Sequence, residues 1–193
     1  VSTTERVSRQ FQHSQRIHYH VDENGKKTKK LVIHPTSDRQ IEESFDGTYQ
    51  GIIQRSTDGF KTFQTVYTNT TYYFNQISCP SENVCFAVAE NMQTGFILRT
   101  QDAGNTWDTL MTVDNVSLMS CQALSEKEAY FGGGILAKSG IQGKVYHTVD
   151  GGDTIDVTTL DNYYFMDMDF LSSTKGFAVA SNPNGSSSLL AFA

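Results

Sequence analysis

An eight-residue pattern recurs three times along this chain, and no other feature restricts its fold as strongly. The clearest copy is Thr100-Gln101-Asp102-Ala103-Gly104-Asn105-Thr106-Trp107. Before it stands Ser56-Thr57-Asp58-Gly59-Phe60-Lys61-Thr62-Phe63, and after it Thr148-Val149-Asp150-Gly151-Gly152-Asp153-Thr154-Ile155. The aspartates Asp58, Asp102 and Asp150 are 44 and 48 residues apart. A second echo spans two such periods. Cys79-Pro80-Ser81-Glu82-Asn83-Val84-Cys85-Phe86-Ala87-Val88-Ala89 aligns without gaps to Phe170-Leu171-Ser172-Ser173-Thr174-Lys175-Gly176-Phe177-Ala178-Val179-Ala180, 91 residues later. Repeats of this length stack supersecondary units, none of which can bury its hydrophobic face alone.

Each copy reads as a hairpin. Phe96 to Thr100 leads into a polar, glycine-containing turn, and Thr106 to Met111 leads out. The Asp102 carboxylate can accept N–H groups of its own turn, and Gly104 can take a positive φ. Trp107 is left to cover the hairpin base. Ser56, Asp58, Thr62 and Phe63 of the first copy are therefore structural, as are Thr100, Asp102, Gly104, Thr106 and Trp107 of the second. Thr148, Asp150, Gly152 and Thr154 of the third complete the set. A single metal or catalytic site built from the three aspartates is the weaker reading, because residues that recur once per stacked unit stay apart.

The octets resemble the Asp-box (S/T-x-D-x-G-x-T-W/F) of the BNR and sialidase-like β-propellers, a motif shared with photosystem-assembly-factor-like proteins, some secreted glycanases and sortilin-type receptors. The second copy matches at every specified position. The first has Phe60 in place of glycine, and the third has Ile155 in place of the aromatic. The resemblance implies an all-β Asp-box propeller or propeller fragment of about four blades, each with four antiparallel strands. It implies no one activity.

Strand segments fit that arithmetic. Residues 1–29 read as an N-terminal tail and hairpin arm turning at Asn24-Gly25. Residues 30–193 divide into blades at about 30–73, 74–115, 116–162 and 163–193, the last incomplete, with residues 35–47 an irregular connection. The chain opens on Val1 rather than Met, which points to a removed leading segment or a fragment. The run Ser188-Leu189-Leu190-Ala191-Phe192-Ala193 would be an aggregation-prone edge if bare. A strand from residues 1–34, of the same chain or a neighbouring copy, is expected beside it.

Charge and cysteine narrow the role. A net charge of −6 disfavours a nucleic-acid partner, and the apolar runs are too short for a membrane span. Lys26, Lys27, Lys29 and Lys30 read as a solvated hairpin tip ahead of a polyanion patch. Cys79 and Cys85 flank a short connection and are expected to pair, which indicates an oxidising compartment. Cys121 is placed opposite Cys79 in the repeat, as a small buried hydrophobe. Sequons at Asn69, Asn115 and Asn184 mark glycosylation sites and agree with an extracellular, secreted protein.

No catalytic set emerges. Enzymatic sialidases carry Arg-Ile-Pro, three clustered arginines and a Tyr–Glu pair; here Arg16-Ile17 runs into His18. Arg55 and Arg99 precede successive octets, which suggests a role in the blade. Asp167 and Asp169 are the candidate ligand-facing acids, on one strand face with Phe165, while Met166, Met168 and Phe170 share the other. A wet strand face explains them as well as a sugar site does. His18, His20 and His34 lack acidic or cysteine partners, so no metal and no cofactor are expected. Gly132-Gly133-Gly134 is not a phosphate loop; close inner-strand packing or a bulge explains it better. The role expected is a non-catalytic secreted module for protein or glycan interaction, scaffolding or extracellular assembly, with self-association through exposed strand edges. Alternatives are a carbohydrate-active enzyme, or a fragment of one, and an assembly-factor-like propeller.

Overall fold

The computed structural model describes residues 15–21, 27–33, 40–44, 51–91, 94–137 and 140–192, the side chains of the first three segments excepted. Residues 1–14, Asn24-Gly25 and His34 lie outside the described residues, and so do the side chains of His18, His20 and the lysine cluster. All described regular structure is β, in four antiparallel sheets whose strands follow one another in sequence order.

The first sheet holds β1 (Gln15–Val21), β2 (Lys27–Ile33), β3 (Gln40–Ser44), β4 (Gly51–Ser56) and β5 (Gln64–Asn69). The second holds β6 (Tyr73–Ser78), β7 (Cys85–Glu90), β8 (Thr94–Thr100) and β9 (Asp108–Asp114). In the third are β10 (Ser117–Ala123), β11 (Ala129–Ala137), β12 (Gly140–Thr148) and β13 (Asp156–Asp161). The fourth has β14 (Tyr164–Ser172), β15 (Lys175–Ser181) and β16 (Ser187–Phe192).

Why β7 reads as an unbroken apolar run follows from its place between two neighbours. Strands covered on both faces have no wet side on which to put polar residues. Cys85, Ala87 and Ala89 pack with Ile53, Tyr72 and Phe74 toward the first sheet. Phe86 and Val88 pack with Leu118, Cys121, Phe131 and Tyr146 toward the third. A further cluster of Tyr130, Phe165, Met168, Phe170, Ala178 and Ala180 joins the third sheet to the fourth.

Several expectations change. Residues 40–44, read as irregular, form β3 and make the first sheet five-stranded; Ile41 is the only large apolar residue there, too little to show a strand period. The hairpin arm extends this first sheet, with β1 paired to β2. Among the described residues β16 pairs with β15 and with neither β1 nor β2 of the same chain, while residues 1–14, part of the segment expected beside it, lie outside the described residues. The strand phase at Phe165 also differs. A bulge at Met166 inserts one residue, so Phe165 turns into the core beside Met168 and Phe170, and Met166 is 41% exposed.

The same bulge falls at Asn75 in β6 and at Met119 in β10. Aligning the three bulges places Cys121 opposite Ile77 and Met168, not opposite Cys79 as the sequence match had it. All three are core positions, and Cys121 is a buried free thiol. Burial pushes its pKa up, away from reactivity. In the triple glycine, a Cβ on Gly133 would collide with the Ser117 carbonyl oxygen, so close strand approach accounts for it.

Candidate functional site

At each octet the chain builds one hydrogen-bonded unit from four residues. The hydroxyls of Ser56, Thr100 and Thr148 each donate to Oδ1 of the aspartate two residues on, all at 2.9 Å. The same oxygens accept the N–H of Phe60, Gly104 and Gly152 at 3.0, 2.9 and 2.8 Å. Each aspartate Oδ1 also accepts the N–H of Thr62, Thr106 or Thr154 at 2.9, 2.8 and 2.9 Å. The hydroxyls of those threonines donate to Oδ2 at 2.7, 2.7 and 2.6 Å.

This geometry needs left-handed backbone after the aspartate, and Ala103 (φ 62°) with Gly104 (φ 85°) supply it. Phe60 takes φ 71° where a glycine would be unstrained. Donation to the charged carboxylate depresses its pKa. The Thr62 N–H, followed by the Thr62 hydroxyl, holds Asp58 down to about 2. Asp102 is lowered chiefly by the Thr106 N–H, and Asp150 chiefly by the Thr154 hydroxyl.

The octets also join neighbouring sheets. Arg55 reaches from β4 to the Ala103 carbonyl of the next octet at 2.9 Å, and Arg99 reaches from β8 to the Gly151 carbonyl. Trp107 packs its ring against Tyr67 of the first sheet and Phe74 of its own, both at 6.3 Å. Arg55 thus fastens the first sheet to the second, and Arg99 the second to the third.

A second repeated arrangement lies on β6, β10 and β14, and the sequence reading missed it. Gln76 Oε1 accepts the Cys121 N–H and Ser78 Oγ accepts the Ala123 N–H, at 3.0 Å for the latter. One sheet further, Ser120 Oγ accepts the Met168 N–H at 3.0 Å and Gln122 Oε1 accepts that of Phe170. The bulge alignment makes Gln76, Ser120 and Asp167 equivalent, and likewise Ser78, Gln122 and Asp169. Asp167 Oδ1 takes the Met168 N–H at 2.9 Å and the Ser120 hydroxyl at 3.3 Å. Asp169 Oδ1 accepts Gln122 Nε2 at 3.0 Å. Asp167 keeps one side open to solvent, yet crowding of its carboxyl by the neighbouring inner strands raises its pKa, against the hydrogen bonds.

One titratable pair went unread in the sequence. Tyr73 donates its hydroxyl to Glu90 Oε1 at 2.5 Å. Glu90 is 6% exposed, and its Oε2 has no hydrogen-bond partner among the described residues. The two residues are 17 apart, so only the pairing of β6 with β7 brings them together.

Cys79 and Cys85 form a disulfide across the β6–β7 connection. Asn69 closes β5 and takes both the N–H and the hydroxyl of Thr71 on Oδ1, each at 2.7 Å. Asn184 does the same with Ser186 at 3.0 and 2.6 Å. Asn115 is exposed at φ 57° between β9 and β10.

No protein-family model matches the chain, and no curated protein does. Among solved structures it is similar to the NanB sialidase of Streptococcus pneumoniae, with 10% identity and a TM-score of 0.59 over 93% of this chain and 42% of that one. It is also similar to the GH74 enzyme of Niastella koreensis, with 13% identity and a TM-score of 0.54 over 81% of this chain and 27% of that one. A structure of YCF48 bound to D1 peptide matches 79% of this chain and 65% of its own at 15% identity, with a TM-score of 0.46. The chain therefore spans less than two thirds of each. These are β-propeller proteins, and the likeness to the first two shows a propeller fold in this chain.

Proposed function

We propose that the chain is a non-catalytic propeller module of a secreted protein, acting in extracellular protein or glycan interaction and assembly, and that its three octets are Asp-boxes serving the scaffold. The observation that carries this reading is the engagement of the recurring acids. Asp58, Asp102 and Asp150 each have both oxygens bonded inside their own turn. Asp167 and Asp169 stand in the inter-sheet ladder. Function has to be argued from sites, not from fold, and these acids are scaffold.

The Cys79–Cys85 bridge agrees with an oxidising compartment, and Asn115 and Asn184 sit exposed in turns, with Asn69 half-buried at the end of β5. Expression through a eukaryotic secretory pathway tests the reading by intact mass and glycopeptide mapping. Glycan on Asn69, Asn115 and Asn184, an oxidised Cys79–Cys85 pair, and no turnover of aryl glycosides are the expected results. Unoccupied sequons together with steady glycoside turnover would overturn it.

The second reading is a carbohydrate-active enzyme, and the Tyr73–Glu90 pair favours it. A hydroxyl held on a buried carboxylate has the form of a nucleophile and its base. A glycosidase of the usual type also needs a second carboxyl to protonate the leaving group. Turnover abolished by Glu90→Gln would establish this reading in place of the first.

A further inference from the structure

Two of the three sequon asparagines sit in the same hydrogen-bonded cradle. Asn69 Oδ1 accepts the N–H and the hydroxyl of Thr71, and Asn184 Oδ1 accepts those of Ser186. A bond from the side chain to the N–H two residues on closes a ring that contains the intervening backbone nitrogen. Each side-chain amide is thus folded back toward that nitrogen. The residue in between is what differs. After Asn69 comes Thr70, whose branched Cβ crowds its own nitrogen. After Asn184 comes Gly185, with φ 79° and nothing within 4 Å of the place a Cβ would occupy. Asn184, Gly185 and Ser186 are all exposed to water. Asn115 is followed by the branched, buried Val116. Asn182 precedes Pro183, whose nitrogen carries no proton to lose.

We propose that Asn184 is a self-modifying site: left without a glycan, it loses its side-chain amide to the Gly185 nitrogen and becomes isoaspartate or aspartate. The Gly185 nitrogen gives its proton to solvent base and attacks Asn184 Cγ. The new N–Cγ bond forms, the Cγ–Nδ2 bond breaks, and Nδ2 leaves as ammonia with a proton from water. Water then opens the resulting five-membered imide at either carbonyl, and no oxidant or cofactor enters. Negative charge develops on Asn184 Oδ1 during the attack, where the Ser186 N–H and hydroxyl already donate at 3.0 and 2.6 Å. One bond acts as a brake. The Gly185 N–H donates to the Asn182 carbonyl at 3.0 Å, so local opening of this turn sets the pace. A glycan on Nδ2 would replace ammonia with a bulky glycosylamine as leaving group, so the two fates of Asn184 exclude each other. Conversion destroys the sequon and adds a negative charge. In the isoaspartate product it also puts a methylene into the backbone between β15 and β16. The step needs only water and therefore stands apart from the secreted-module reading.

The experiment is peptide mapping of the full, unglycosylated chain during incubation at mildly alkaline pH. Mass scores the loss of ammonia, and an isoaspartyl methyltransferase scores the isoaspartate. Conversion at Asn184 is expected, while Asn69 in the same sample stays an amide. Ser186→Ala removes one donor from Oδ1 at an exposed position and should slow conversion about fivefold, the worth of one hydrogen bond. Gly185→Ala should all but stop it. Unchanged circular dichroism confirms that both variants keep the fold. Glycan-bearing Asn184 peptides from secreted protein should show no conversion. An Asn184 amide that survives weeks of incubation would overturn the proposal, as would conversion of Asn69 at the same rate. So would a Ser186→Ala chain that converts as fast as its parent.

Discussion

Phe86-Ala87-Val88-Ala89 and Phe177-Ala178-Val179-Ala180 are the same four residues on equivalent strands, and they live in different surroundings. In β7 both faces are covered, and all four side chains are 0% exposed. In β15 only Ala178 and Ala180 are buried, while Phe177 and Val179 face outward. Sequence identity sets which side chain each position presents, but the neighbouring sheet decides what that side chain is worth. The apolar contribution to stability follows area removed from water, about 25 cal/mol per Å².

The strongest way to break this comparison is truncation of each phenylalanine. Phe86→Ala should destabilise by about 3–5 kcal/mol, because the residue is sealed between two sheets and its loss leaves a cavity. Phe177→Ala should cost no more than about 1 kcal/mol in dilute, monomeric protein, measured by urea unfolding. Equal losses would show that β15 is as covered as β7.

A smaller difference concerns the turns at the starts of these strands. The second sheet ties Cys79 to Cys85, whereas the fourth has Phe170 and Gly176 at those places. Replacing both cysteines with serine should cost about 2 kcal/mol, the chain-entropy value for so short a loop. Thermal unfolding with and without reductant would give the same figure from the parent chain. No change on reduction would mean that β6–β7 pairing holds the turn alone, as β14–β15 pairing does.

The smallest effect is in the octets. Asp58, held near pH 2 against an ordinary 3.8, contributes stability that is complete above the ordinary value and disappears as pH falls through about 2. Asp102 and Asp150 are depressed in the same direction. Urea midpoints should therefore fall between pH 4 and pH 2, and Asp102→Asn should flatten part of that slope. The fourth sheet shows no such aspartate turn among its described residues, so limited proteolysis of the parent at pH 2 should open the octet turns before the β14–β15 turn.

The octet turns were legible because their chemistry is local. Four residues in each octet supply the shared donors and acceptors, so Asp102, Thr106 and Gly104 could be assigned roles from spacing alone. The disulfide was legible for the same reason, its partners being six residues apart. Register was not. A one-residue bulge at Met119 or Met166 leaves no compositional mark, yet it moved Cys121 opposite Ile77 and turned Phe165 into the core. The inner ladder was invisible too. Gln76, Ser78, Ser120 and Gln122 do the same work with different residue types, and each finds its partner 45 to 48 residues away.

By itself, then, the amino-acid order determined the repeat, the turn chemistry and the all-β class, since these depend on contacts within a few residues or on a period that survives substitution. The tertiary structure alone decided which faces are sealed, which acids enter the ladder and which apolar face stays open. Those outcomes depend on a neighbouring sheet tens of residues away, and whether a neighbour is present is not written in the strand that needs one.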